Sequence, residues 1–233
     1  MTFPDGTHAL DRVSFDVRRG EFVTIVGPSG CGKSTVLRIA SGLQPGATGK
    51  VELTDKNIGY VFQDATLLPW RTVEKNIELF CELHGMDKAE RARKTSEAIG
   101  LVGLRGFERS YPRRLSGGMR MRTSLARSLT LNPKLFFFDE PFGALDEITR
   151  ERLNDELIRL FLHEQFGGLF ITHSISEAVF LSTRVLVMSA RPGRIIAEYD
   201  VPFAYPRDPD IRFDPGFAEL SGEVSHALRG AHA

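Results

Sequence analysis

The sequence predicts an α/β fold, with a mostly parallel β-sheet, helices on both of its faces and a helical lobe inserted part-way along. Three observations carry this reading. Strand-sized apolar runs alternate with stretches of helical period. A glycine-rich segment joins a strand to a helix near the N-terminus. After Gln63 the strand character disappears, returning only near residue 135.

Residues 13–26 alternate apolar and polar, with a turn at Arg19-Gly20 and a buried-type strand at 21–26. Glycine-rich residues 27–32 follow, and then a helix pattern over 34–41 ended by Gly42, so the segment reads as half of a βαβ unit. Residues 51–53 and 58–62 read as two short strands. Val73, Ile77, Phe80, Cys81 and His84 fall at helical spacing, and 87–101 is rich in Ala, Lys, Arg and Glu, so 70–131 is expected to be mainly helical. Strands are predicted again at 135–138, 168–172 and 184–188. Between the first two, a helix across 149–164 places Leu153, Leu157, Leu160 and Phe161 on one face. The expected organisation is one domain, with a core of 1–63 and 132–233 and a helical lobe of 64–131. The proline-bearing tail past Val201 is expected to wrap the surface.

A chain of 233 residues buries roughly 70–75% of its unfolded surface, so it needs no disulfide or metal staple. Its two cysteines, Cys31 and Cys81, suit a reducing cytosol. Thirty basic residues balance thirty acidic ones, which gives no global attraction to nucleic acid or an anionic membrane. No run reaches the ~18–20 apolar residues that span a bilayer. The opening Met1-Thr-Phe-Pro-Asp-Gly6 lacks the basic region and apolar core of a signal peptide. The chain is therefore expected to be soluble and to meet a membrane only through a partner.

Gly27, Pro28, Ser29, Gly30, Cys31, Gly32, Lys33 and Ser34, followed by Thr35, fit G-x-x-x-x-G-K-[ST]. Glycines let successive N–H groups curl around an anion, and the helix that follows points its positive end inward. Lys33 then reaches the β- and γ-phosphates, and the Ser34 hydroxyl can ligate Mg²⁺. This is a nucleoside triphosphate site, and the fold is of the P-loop NTPase type. Leu135-Phe-Phe-Phe-Asp-Glu140 is an apolar strand ending in two carboxylates. Asp139 is placed to hold Mg²⁺ directly or through water, and Glu140 is the general-base candidate. Ser116, Gly117 and Gly118 precede a helix; alone they read as an N-cap with a flexible entry, or as a second anion site. By itself His173 reads as a packing residue at a strand end, and Asp146 as a helix N-cap. Arg109, Arg113, Arg114, Arg120, Arg122 and Arg127 form a basic stretch with no nucleic-acid module, which reads as a solvated helical face.

Taken in order, these motifs resemble the ATP-binding subunit of an ABC transporter over essentially the whole chain. The phosphate loop is 27–34, the signature is 115–119 and the second acidic motif is 135–140. Gln63 matches the glutamine that links the ATP site to the helical lobe and contributes to Mg²⁺ binding. Ala144-Leu145-Asp146 matches the loop that crosses the dimer interface, His173 the switch histidine, and Phe3 the aromatic that stacks on adenine. The resemblance implies ATP and Mg²⁺ as ligands and an antiparallel β subdomain beside the core. It also implies a head-to-tail homodimer that closes on ATP, with Ser116 of one chain capping the γ-phosphate held by the other. Its implied partners are a membrane-spanning permease and, indirectly, a periplasmic or lipoprotein substrate-binding protein, at the cytoplasmic face of the inner membrane. Met119 and the segment 62–73 are similar to the nitrate/sulfonate/taurine importer branch. There Leu67, Leu68, Pro69 and Trp70 would dock the permease, core packing being the alternative. The family usually carries a β-strand before the adenine-stacking aromatic, whereas only Met1 and Thr2 precede Phe3. Either the start was assigned late or the sheet lacks that edge strand, and this bears on the stacking role.

Other functions fit less well. A non-transport ABC ATPase of DNA repair or translation would carry coiled-coil insertions or tandem halves. A degenerate regulatory module would lack one of Lys33, Glu140 and His173. The resemblance implies that the transported molecule is a small anion or small organic nutrient of the nitrate, sulfonate or taurine type or, alternatively, a pyrimidine or vitamin precursor.

Overall fold

The computed structural model describes residues 1–230. One six-stranded sheet organises them, in the order β2-β3-β4-β1-β5-β6. Its strands are β1 (Phe22–Val26), β2 (Ile58–Val61), β3 (Leu135–Asp139), β4 (Gly167–Ile171), β5 (Arg184–Met188) and β6 (Ile195–Asp200). All neighbours run parallel except β6, which closes the edge antiparallel to β5.

The period of two along β3 explains why both faces need cover. Phe136 and Phe138 point to one face, where they join Phe22, Phe166 and Phe170 in one buried cluster. Phe137 points to the other, with Val23, Ile25 and Leu169. Helix α1 (Lys33–Ala40) covers the second face through Val36 and Leu37. Helix α5 (Glu147–Glu164) covers the first through the expected stripe of Leu153, Leu157, Leu160 and Phe161. The Phe161 ring meets Phe22 edge-on with centroids 5.4 Å apart, the geometry that the ring quadrupole favours.

Between β2 and β3 run α2 (Val73–Leu83), α3 (Lys88–Leu101), a short 3-10 turn and α4 (Gly117–Leu129). Thr72, Asp87 and Ser116 cap their N-termini, each side chain accepting from a first-turn amide.

Several expectations shift. Residues 51–53 form no strand: Val51 is 51% exposed and no ladder includes them. Alternation alone does not make a strand where no neighbour supplies hydrogen bonds. The same holds for 13–18, whose Val13, Phe15 and Val17 pack against the second-face cluster without a ladder. Among the described residues no separate antiparallel sheet stands beside the core. The antiparallel pairing consists of β5–β6 and the isolated bridge between Thr2 and His8. Three elements were not anticipated: β6, α6 (Ile175–Leu181) and α7 (Pro215–Gly230). The tail past Val201 does lie against the core, because Phe217 and Val224 of α7 are buried in the first cluster.

Candidate active site

The strand order sets the site. Parallel β1, β3 and β4 end together, so the loops after them converge at one edge of the sheet. The loop after β1 becomes the N-terminus of α1. Gly32, the residue preceding that helix, has φ +107°, and a side chain there would strike Leu10 at 2.7 Å. Glycine is thus required on two counts. With no side chain capping α1, its first-turn amides are available to an anion. Lys33 is only 6% exposed, and its ammonium donates to the carbonyls of Gly27 at 2.9 Å and Pro28 at 3.0 Å. The charge is therefore held inside the loop.

Asp139 ends β3 and is also 6% exposed. It accepts from the Ser34 hydroxyl at 2.7 Å and from Tyr60 at 3.4 Å. Burial and the Asp139 charge together hold the Tyr60 phenol well above its ordinary pKa, so it stays a donor. The hydroxyl of Ser34 and the carboxylate of Asp139 form a hard-oxygen pair beside the phosphate loop, which is the donor chemistry that Mg²⁺ prefers.

Glu140 has φ +46°, uncommon for a residue with a side chain. Its amide donates to Ile171 at 3.1 Å and its carbonyl accepts from Gly143 at 3.1 Å. The flanking strand and turn thus enforce the strained conformation. His173, in the loop after β4, places Nδ1 3.2 Å from Glu140 Oε2. Phe3, Gly30, Lys33, Ser34 and Glu140 all border one cleft of about 270 Å³, so the structure joins residues from 3 to 140 in a single concavity.

Other expected site residues stand elsewhere. Gln63 is exposed just past β2, outside the cleft lining, and its side chain makes no hydrogen bond among the described residues. Ser116 is exposed at the start of α4, its hydroxyl accepting from Met119 N at 3.2 Å. Its glycine neighbours serve packing as well as flexibility. A side chain at Gly117 would meet Leu145 at 2.7 Å, and one at Gly118 would meet Thr149 at 3.2 Å. The signature segment is thus seated on the Asp146 loop. Asp146 caps α5, accepting from Thr149 N at 3.0 Å, and this bond lowers the pKa of its carboxyl.

The basic stretch divides. Arg109, Arg113, Arg114 and Arg120 are exposed as expected and Arg122 is half-buried, but Arg127 is only 5% exposed. The Arg127 guanidinium donates to Thr66 O at 3.1 Å and Ala65 O at 3.3 Å, and lies over the Phe80 ring. It therefore ties α4 to the segment just past Gln63. Reading the stretch as a solvated face missed this because the partners lie some 61 residues away. Trp70 is 71% exposed, which excludes the core-packing alternative, whereas Leu67 does pack against the core.

A phosphate loop at the end of a parallel strand, with a Ser–Asp pair and a carboxylate–histidine pair across it, defines a P-loop nucleoside triphosphatase. The ABC transporter family profile matches residues 10–143, and the chain belongs to that family as an ATP-binding, ATP-hydrolysing subunit. It is 44% identical over 233 residues to the taurine import ATP-binding protein of Rhizobium johnstonii, covering 95% of this chain and 89% of that one. Identity to the nitrate import ATP-binding protein of Synechocystis sp. is 41% over 237 residues, covering 95% and 88%. A solved dimeric ATP-binding cassette in a post-hydrolysis state with ADP and Pi superposes with a TM-score of 0.73 at 30% identity, over 84% of this chain and 92% of that one. No helix among the described residues is long and apolar enough to cross a membrane.

Proposed function

We propose that this chain is the energy-coupling ATPase of an importer for a small anion or small organic nutrient, of the nitrate, sulfonate or taurine type. Two copies would act as a head-to-tail pair bound to a permease at the cytoplasmic face of the inner membrane. A substrate-binding protein would act through the permease. The observation that carries the reading is the convergence of Lys33, the Ser34–Asp139 pair and the Glu140–His173 pair on one phosphate loop. The names of the taurine and nitrate relatives support the importer branch.

In this reading the ATPase core is 1–63 and 132–233, and the lobe 64–131 carries the permease contact. Amides of the loop 27–35 and the Lys33 ammonium bind the phosphates, and Phe3 borders the cleft where the base would lie. Ser34 and Asp139, joined by Gln63 once its loop swings in, would hold Mg²⁺, which when bound offsets charge on the β- and γ-phosphates. Glu140 takes the proton of the attacking water. His173, 3.2 Å from that carboxylate, holds it in orientation and faces the γ-phosphate. Ser116 with Gly117 and Gly118 stands outside its own cleft, which supports a role on the nucleotide of a second copy, with Asp146 on the crossing loop.

Two measurements test this. Lys33→Ala should weaken ATP binding by about a hundredfold in a fluorescent-nucleotide titration. A unit charge at ~4 Å is worth up to about 4 kcal/mol at an effective dielectric near 20, and the loop-carbonyl bonds of Lys33 offset part of it. Native affinity would remove the phosphate-loop assignment. Trp70→Ala should abolish uptake by the assembled transporter, assayed with taurine, nitrate and an alkanesulfonate in turn, while the isolated subunit still hydrolyses ATP. Normal uptake would exclude Trp70 as an interface anchor.

A further inference from the structure

The nucleotide cleft has a wall that no motif announced. The turn joining β5 to β6 lies directly against the phosphate loop, and its tip residue, Arg191, borders the cleft together with Phe3 and Lys33. The turn is pinned rather than loose. Ser189 Oγ donates to Pro192 O at 3.1 Å and accepts from Arg194 N at 3.0 Å. Gly193 N donates to Ala9 O at 2.8 Å, and Asp11 N donates to Gly193 O at 3.0 Å. A side chain at Gly193 would overlap the Cys31 carbonyl and the Met188 methyl, so only glycine lets this backbone rest on the phosphate loop.

The turn carries two arginines with different fates. Arg194 is paired with Asp11 at 2.6 Å. Arg191 has no carboxylate partner among the described residues, and its one hydrogen bond runs from Nη2 to the Gly30 carbonyl at 3.0 Å. A neutral acceptor leaves it without a direct ion pair and four of its five donors free, Asp5 feeling its charge only weakly. An exposed, unpaired guanidinium fixed at the rim of an anion-binding loop is arranged to meet an anion.

We propose that Arg191 is a second cationic contact for the polyphosphate of a nucleotide bound in this cleft, acting beside Lys33. The proposal rests on the reading of the cleft as an ATP site. It makes the β5–β6 turn part of that site and gives this chain a nucleotide-binding residue some 161 positions beyond its phosphate loop.

The test is a titration with a fluorescent ATP analogue at low ionic strength, alongside Arg191→Ala, Arg191→Gln, Arg191→Lys and Lys33→Ala. Arg191→Ala should bind about fivefold more weakly, the effect of one unit charge ~4 Å away in a well-hydrated cleft. Arg191→Gln, which keeps a donor for Gly30 without the charge, should be equally weak, and Arg191→Lys should stay within about twofold of native. The loss should shrink from ATP to ADP to AMP, measured by competition. Arg191 is exposed, so all three variants should melt like the native chain. Native affinity in Arg191→Ala, or in Arg191→Gln, overturns the proposal, as does an equal loss for ATP and AMP. Weak binding by Lys33→Ala together with native binding by Arg191→Ala overturns this inference alone. Native binding by both overturns the ATP-site reading beneath it.

Discussion

Glu140→Gln is expected to lower ATP turnover by about 10²–10⁴-fold, the usual cost of removing a positioned general base, while ATP binding stays close to native. The split follows from how Glu140 is built. Its backbone is fixed by Ile171 and by Gly143 at φ +46°, so an isosteric amide keeps the same place. The contacts assigned to phosphate binding come from other residues, namely Lys33, Ser34 and the loop amides. What the amide cannot do is accept a proton from water. Because bound ATP is then not consumed, the variant should also accumulate as an ATP-bound dimer and return to monomer with ADP, as read by size-exclusion chromatography with light scattering. Single-turnover phosphate release at the native rate would remove Glu140 from the role of base. His173 would then lose its role of orienting that carboxylate, its one side-chain hydrogen-bond partner among the described residues.

What the sequence revealed of the site was what lies close together along the chain. Gly27 to Ser34 is a local pattern whose geometry follows from glycine freedom and a helix start, and the structure has it as the passage from β1 into α1. The pairing of Ser34 with Asp139 spans 105 residues, yet each half carried its own motif. Arg127 and Arg191 carried none, and their partners lie 61 and 161 residues away. Nothing local distinguishes a buried arginine serving a distant carbonyl from one in water. The fold shows the same division. Phe136 to Phe138 declares a two-faced strand because burial on both sides demands an unbroken apolar run. Val51 to Leu53, interrupted by Glu52, has no such run and finds no neighbour. Two of the elements not anticipated did have signals. Ser174 caps α6 and is followed three residues later by Glu177, as in a capping box. Pro215 opens α7, with Phe217, Leu220 and Val224 at helical spacing behind it.

Ser116→Arg should remove ATP hydrolysis in the assembled transporter by about 10³-fold, the upper range for deleting one preorganised stabiliser of transition-state charge. In the proposed geometry the site is completed only by a second copy. Ser116 is exposed and lies outside the cleft that holds Lys33 and Glu140, so it cannot serve the nucleotide of its own chain. An arginine there would fill the space that the partner's γ-phosphate must enter. It should cost α4 its N-cap bond to Met119 N, about 1 kcal/mol, without unfolding the chain, because the neighbouring close contacts belong to Gly117 and Gly118. ATP binding by the isolated variant should remain native, which separates this effect from that of Lys33→Ala. The decisive measurement is steady-state phosphate release by the Ser116→Arg subunit assembled with its permease. The account predicts native nucleotide affinity with hydrolysis near background. Hydrolysis at the native rate would contradict it, and would mean that each chain completes its site alone.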